Sequence, residues 1–97
     1  VETASFTVDL ARRRVSRNGN EVRLTPTEWQ LLEILARHPG DVVGRREMLL
    51  EIRGPHLDRE THYLRVYIAQ LRRKLEPNPA NPRHLITEPG VGYRLVP

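Results

Sequence analysis

Leu64, Ile68, Leu71 and Leu75 recur at the spacing of a helix that turns 100° per residue, with polar and basic residues filling the positions between them. The run His62–Leu75 therefore predicts an amphipathic helix with one narrow apolar stripe. His62, Val66, Ala69 and Arg73 fall on the opposite side, flanked by Arg65 and Gln70. Upstream, Phe6, Val8 and Leu10 alternate with polar neighbours, the period of a half-buried strand. Arg13–Arg17 and Glu21–Leu24 flank Asn18-Gly19-Asn20, whose residues accept positive φ, so a hairpin and a small antiparallel sheet are predicted.

The first helix carries a full start signal. Thr25 stands as N-cap, Pro26 takes the first helical position, and Glu28 closes a capping box three residues after the cap. Leu24 and Trp29 occupy the places of a hydrophobic staple, and His38-Pro39-Gly40 ends the helix. Trp29 is read as core rather than as a base-stacking platform. Asp41–Gly44 is a short extended link or one-bridge strand, and Met48, Leu49 and Ile52 mark a second helix from Arg45 to Arg53, closed by Gly54-Pro55. His56–Glu60 leads into the basic helix, whose cap is Asp58 or Thr61. Three prolines at 77, 79 and 82 stop that helix, and Leu85–Val96 reads as two β-type runs about a glycine-rich turn. The order is sheet, three helices, hairpin.

At 97 residues the chain is one small domain, and its net charge of +4 with a pI near 10.3 points to a polyanionic partner. Every basic residue except Lys74 is arginine, which favours directed hydrogen bonding to phosphate and base edges, although a GC-rich genome enriches arginine as well. There is no cysteine, so disulfides and thiolate metal sites are excluded. No apolar run reaches the ~20 residues of a membrane span, and no signal-peptide pattern opens the chain. A soluble, cytoplasmic domain is expected, cut from something longer because it begins at Val1.

The basic helix has no acid between Arg65 and Lys74, which is unusual for an idle surface. Arginine matches the O6/N7 edge of guanine, glutamine can pair with adenine, and Val66 or Ala69 can touch a thymine methyl. The plain alternative is an ordinary amphipathic helix whose Arg72, Arg73 and Lys74 offset the negative end of the dipole. Arg45 and Arg46 lie at the start of the second helix, where cations oppose the dipole unless a phosphate binds there, so both are backbone-contact candidates with surface chance as the rival. Arg12-Arg13-Arg14 is read as a solvated edge rather than a phosphate patch. His38, His56, His62 and His84 lack metal spacing. No P-loop, dinucleotide fingerprint, GxSxG or HExxH occurs, so neither an enzyme nor a cofactor is expected.

Leu24-Thr25-Pro26-Thr27-Glu28, Leu71-Arg72-Arg73-Lys74-Leu75 and Gly90-Val91-Gly92-Tyr93-Arg94 resemble, in order and spacing, the signature blocks of the OmpR/PhoB family of bacterial response regulators. The resemblance covers nearly the whole chain. Within the family, His62–Tyr67 with Pro82-Arg83-His84 and Ile86-Thr87-Glu88 is most similar to regulators of potassium-transport operons.

The resemblance implies an α+β winged helix-turn-helix over residues 1–97: a four-stranded N-terminal antiparallel sheet, three helices and a C-terminal hairpin wing. This effector domain would lack its receiver domain in the present chain. The third helix would enter the major groove of double-stranded DNA, with Arg65, Val66 and Gln70 reading bases and His62 and Ala69 beside them. Arg72 and Thr87 would contact the backbone, with Arg45, Tyr63 and Arg73 as further family positions, beside Arg46 from the helix-start argument above and Arg94 in the wing. His56, Leu57, Asp58 and Arg59 would form a loop facing RNA polymerase. Family members pair head-to-tail on direct repeats and answer to a sensor histidine kinase. Two positions depart from the pattern. The wing arginine that some members insert into the minor groove is Pro89 here, leaving Arg94 or His84 to substitute or the wing to read phosphate alone. The tryptophan usual at the end of the second helix is Arg53.

A helix of about 15 residues is ~22 Å long and the major groove ~12 Å wide, so its first half should read bases while Arg72 and Arg73 reach the backbone. The rivals are a winged-helix module that meets an acidic protein such as RNA polymerase, and an RNA binder. The latter is poorly supplied with aromatic stacking beyond Tyr63 and Tyr67.

Overall fold

Alternation at the N-terminus is realised as three short antiparallel strands, β1 (Thr7–Asp9), β2 (Arg14–Arg17) and β3 (Asn20–Glu21), in the order β1-β2-β3. The structure, a computed structural model, describes residues 1–53 and 61–97. The expected polymerase-facing residues His56, Leu57, Asp58 and Arg59 lie outside the described residues, as does the side chain of His62.

Val8 and Val15 turn inward from the first two strands, joined by Phe6 just ahead of β1. Asn18 and Gly19 turn the second hairpin at φ 54° and 78°, left-handed geometry that asparagine tolerates and glycine, without a Cβ, adopts freely. The strand expected from Arg13 begins one residue later. Asp9 Oδ1 accepts the backbone N–H of Arg12 at 3.1 Å and Arg13 adopts φ 54°, so the chain is still turning there. In place of a fourth strand, the leading segment adds a single bridge, Glu2 to Thr7. Thr3 Oγ1 accepts the N–H groups of Ser5 and Phe6 at 3.1 and 2.9 Å, and this tight turn leaves too little extended chain for a ladder.

Three helices follow: α1 (Pro26–Ala36), α2 (Arg45–Arg53) and α3 (Thr61–Leu75). The capping box of α1 is complete, with Thr25 Oγ1 accepting from Glu28 N at 3.2 Å and Glu28 Oε1 accepting from Thr25 N at 2.8 Å. Glu28 is nevertheless buried, and its carboxylate also receives Lys74 Nζ at 2.6 Å, which ties the start of α1 to the end of α3. Arg17 reinforces this junction by donating to the carbonyl of Lys74 at 3.2 Å. Leu31, Leu32 and Leu35 of α1 and Met48 of α2 enclose Leu64, Ile68, Leu71 and Leu75 of α3, all of them at most 1% exposed. Burying four such aliphatic side chains contributes on the order of 1.5–3 kcal/mol each, so the rotation of α3 about its axis is strongly fixed.

The link after α1 becomes β4 (Val43–Gly44), which joins β5 (Leu85–Glu88) and β6 (Gly92–Leu95) in an antiparallel sheet of order β4-β6-β5. Tyr93 and Leu95 of the central strand face the core. Gly44 pairs with Gly92, and the backbones approach so closely that a Cβ on Gly92 would lie 2.0 Å from the carbonyl oxygen of Val43. Val91 O accepts Arg45 N at 3.1 Å, so the hairpin turn satisfies one of the N–H groups at the start of α2.

Two sets of outcomes are expected, the first at two glycines. Gly92→Ala forces backbone apart at the β4–β6 contact and should cost about 3 kcal/mol or more, a fall in Tm of at least ~10 °C by circular dichroism. Gly19→Ala, at φ +78° in open space, should cost only about 1 kcal/mol. The second set concerns Glu28. Burial raises its pKa, but hydrogen bonds from Lys74 and the Thr25 N–H outweigh that and leave it lowered. A lowered folded pKa gives stability that is present above the unfolded value of about 4.3 and lost as pH falls through the folded one. Glu28→Gln should therefore lower stability by about 1–2 kcal/mol at pH 7, and the gap to the unaltered chain should narrow in melts taken below about pH 4.

Candidate nucleic-acid interface

With its apolar stripe sealed, α3 must present its other side outward. Arg65, Val66, Arg73 and Tyr63 are exposed, and Val66 keeps 46% of its surface in solvent although it is aliphatic. Ala69 and Gln70 are half-exposed beside them. The five described members of the predicted reading and flanking positions thus share one accessible helix surface. An open groove runs between this helix and the β5–β6 hairpin, lined by Arg45, Arg65 and Arg72 on one side and by Thr87, Pro89 and Gly90 on the other. Arg45 reaches it from the first turn of α2, while Arg46 is exposed.

The pairing of charges differs across the molecule. Arg12, Arg13 and Arg14 meet Asp9, Glu33 and Glu21 at 3.8, 3.4 and 3.3 Å, and Arg37 meets Glu51 at 3.1 Å. The triple-arginine cluster is therefore a solvated, acid-paired edge, and Arg13 also lies 5.6 Å from the ring centre of the buried Trp29. By contrast, among the described residues Arg45, Arg46, Arg65 and Arg73 have no acidic or hydrogen-bonding side-chain partner. These four cations retain their full donor capacity for an external anion.

The remaining backbone candidates are engaged within the domain. Arg72 donates from Nε to the carbonyl of Leu85 at 2.9 Å and from Nη2 to Thr87 Oγ1 at 2.7 Å. Half-burial lowers its pKa while Tyr93 and Glu76 oppose the shift, but a guanidinium stays charged at any physiological pH. Thr87 is exposed, and its hydroxyl hydrogen remains available while the oxygen accepts from Arg72. Arg94 forms an ion pair with Glu88 across the hairpin at 2.8 Å. His84, one expected substitute for the missing wing arginine, is 4% exposed. Its ring bonds Ser5 Oγ and the Val96 carbonyl at 3.0 and 2.9 Å and sits edge-on to Phe6, so it is a core contact and not a wing contact.

Sequence reading missed Glu76. It follows the last residue of α3, is 1% exposed, and accepts the backbone N–H groups of Arg83, His84 and Leu85 at 3.0, 2.9 and 2.7 Å. A carboxylate directly after an amphipathic helix and ahead of a proline-rich loop was the available signal, since such a loop lacks internal acceptors for the strand that follows. Among the described residues, no cluster of three or more His, Asp or Glu side chains is arranged to hold a metal.

Residues 19–95 match the family described as transcriptional regulatory protein, C terminal. The chain is 63% identical over 95 residues to the transcriptional regulatory protein KdpE of Mycobacterium tuberculosis, covering 98% of this chain and 42% of that protein. It is 47% identical over 96 residues to the KDP operon transcriptional regulatory protein KdpE of Escherichia coli, covering 99% and 43% respectively. It thus spans less than half the length of these relatives. Among solved structures, the RstA DNA-binding domain of Klebsiella pneumoniae in complex with the RstA box superposes with a TM-score of 0.84 at 30% identity, covering 99% of this chain and 95% of that one. With its sheet, three helices and C-terminal hairpin, the chain belongs to the OmpR/PhoB family of response-regulator C-terminal DNA-binding domains.

Proposed function

We propose that this domain binds double-stranded DNA in a sequence-specific manner, as the output end of a two-component transcription regulator that governs a potassium-transport operon. The observation that carries the reading is the arginine-bearing side of α3. It is held outward by a sealed apolar stripe, next to cations that lack partners within the described residues. The likeness to KdpE proteins supplies the operon, and the complexed RstA domain supplies the class of ligand.

In this reading α3 lies in the major groove, with Arg65 and Gln70 hydrogen bonding to base edges and Val66 and Ala69 making apolar contact. His62 completes the reading side on the strength of its helical position. Arg45, Arg46, Tyr63 and Arg73 contact phosphates, joined by Thr87 and by the donors that Arg72 and Arg94 have left. Four to six phosphates, neutralised chiefly by these arginines, correspond to a log-log salt slope of about −4 to −5. Tandem binding on direct repeats, a polymerase contact through His56–Arg59, control by a receiver domain and histidine kinase, and a bacterial cytoplasmic location belong to the same proposal and rest on the family resemblance. No helix among the described residues is long and apolar enough to cross a membrane.

Selection of bound duplexes from a random library should return a recurring direct repeat. Gln70→Ala and Arg65→Ala should each lower discrimination against the wrong base by about 1–3 kcal/mol while leaving binding to random duplex nearly unchanged. Arg73→Ala should weaken selected and random duplexes alike and reduce the salt slope by about 1. Equal losses on both duplexes for Gln70→Ala would contradict its base-reading role. Salt-independent binding by the unaltered chain would favour a protein partner instead.

A further inference from the structure

The hairpin is covalently joined to α3 only through the proline-rich stretch 77–82, yet two side chains from the end of that helix grip its first strand. Arg72 and Glu76 stand four residues apart, on one face of the last turn and its extension. The guanidinium of Arg72 bridges Leu85 O at 2.9 Å and Thr87 Oγ1 at 2.7 Å, two points separated by two residues along β5. The carboxylate of Glu76 takes the N–H groups of Arg83, His84 and Leu85 within 3.0 Å. Five hydrogen bonds, two from a rigid planar fork and three to a buried anion, define both the position and the tilt of β5 against α3. Charge-assisted bonds of this kind are the stronger class.

We propose that Arg72 and Glu76 are positioning residues for DNA binding. They hold the wing at one angle to α3, so that helix and wing meet a duplex as a single rigid body. The inference rests on the DNA-binding reading above and refines it, because Arg72 then contributes chiefly through the wing it orients. An arginine serving only as a phosphate contact beside α3 would, when replaced by lysine, weaken the longer and the shortened duplex alike. A lysine ammonium cannot span Leu85 O and Thr87 Oγ1 as a fork does, so the orienting role does not survive that exchange.

The test crosses protein variants with duplex length. The probes are a duplex recovered by selection on the unaltered chain and the same duplex shortened by about half a helical turn, ~5 base pairs, on the wing side. Removing the two or three phosphates beneath the wing should cost the unaltered chain about tenfold in affinity. Arg72→Lys should lose most of the tenfold difference between the longer and the shortened duplex, whatever its affinity for the shortened one. Residual dipolar couplings of the β5 and β6 amides should share one alignment frame with α3 in the unaltered chain and depart from it in Arg72→Lys. Glu76→Gln, which keeps one acceptor oxygen, should shift the same couplings.

A variant that loses as much on trimming as the unaltered chain overturns the inference, as does one that weakens on both duplexes equally, the mark of a merely structural role. An unaltered chain indifferent to trimming overturns it too, while leaving the DNA reading standing. Absence of salt-dependent duplex binding by the unaltered chain overturns both together.

Discussion

The burial of Leu64, Ile68, Leu71 and Leu75 is the constraint on which the rest of this domain depends. Rotating α3 by even a quarter turn would pull these side chains into water at a cost larger than any surface contact could return. Every other property of the interface follows from that fixed rotation. Val66 stays in solvent because it lies opposite the stripe, and Arg65 opens onto the groove because it flanks it. The supporting elements act on the same helix: α1 through the leucines that enclose it, Glu28 through Lys74, and the first sheet through Arg17.

Charge is distributed according to what each surface has to do. On the first sheet and the outer sides of α1 and α2, arginines sit beside acids, where such exposed pairs contribute little to stability but leave no strong local field. Around the groove the acids are sparse, and Glu88 is already paired with Arg94. A formal charge of +4 is modest, yet the cations without partners among the described residues include Arg45, Arg65 and Arg73 at one groove and helix face. A polyanion would therefore meet a local field stronger than the net charge suggests.

Much of this was legible in the sequence because it depends on near neighbours. The stripe on α3, the capping box at Thr25 and Glu28, the Asn18-Gly19 turn and the terminal hairpin are all set by residues a few positions apart, where periodicity and turn chemistry operate. Contacts between distant residues were not legible. The reading of Glu28 as a cap was right but incomplete, since its salt bridge to Lys74 spans 46 positions and needs the fold to exist. His84 was a candidate substitute for the missing wing arginine until the packing of Phe6, Ser5 and Val96 placed it inside. For Glu76 the position after the helix and before the prolines was the one local signal, and the three amides 7 to 9 residues ahead that converge on it are set only by the folded loop. Internal engagement around the wing was not legible: Arg72, Thr87 and Arg94 were expected as backbone contacts, and each is bonded within the domain.

The grip of α3 on β5 has a bearing on solubility. In the order β4-β6-β5, strand β5 is outermost, and the amide and carbonyl of Leu85 point away from β6. Left bare, such groups would template an incoming strand from another molecule. Glu76 occupies that amide and Arg72 that carbonyl, so the side of the sheet best suited to intermolecular β-pairing is capped at its root by the domain's own helix. A hairpin that has to project from the protein to work can then be extended and apolar at its base without inviting aggregation.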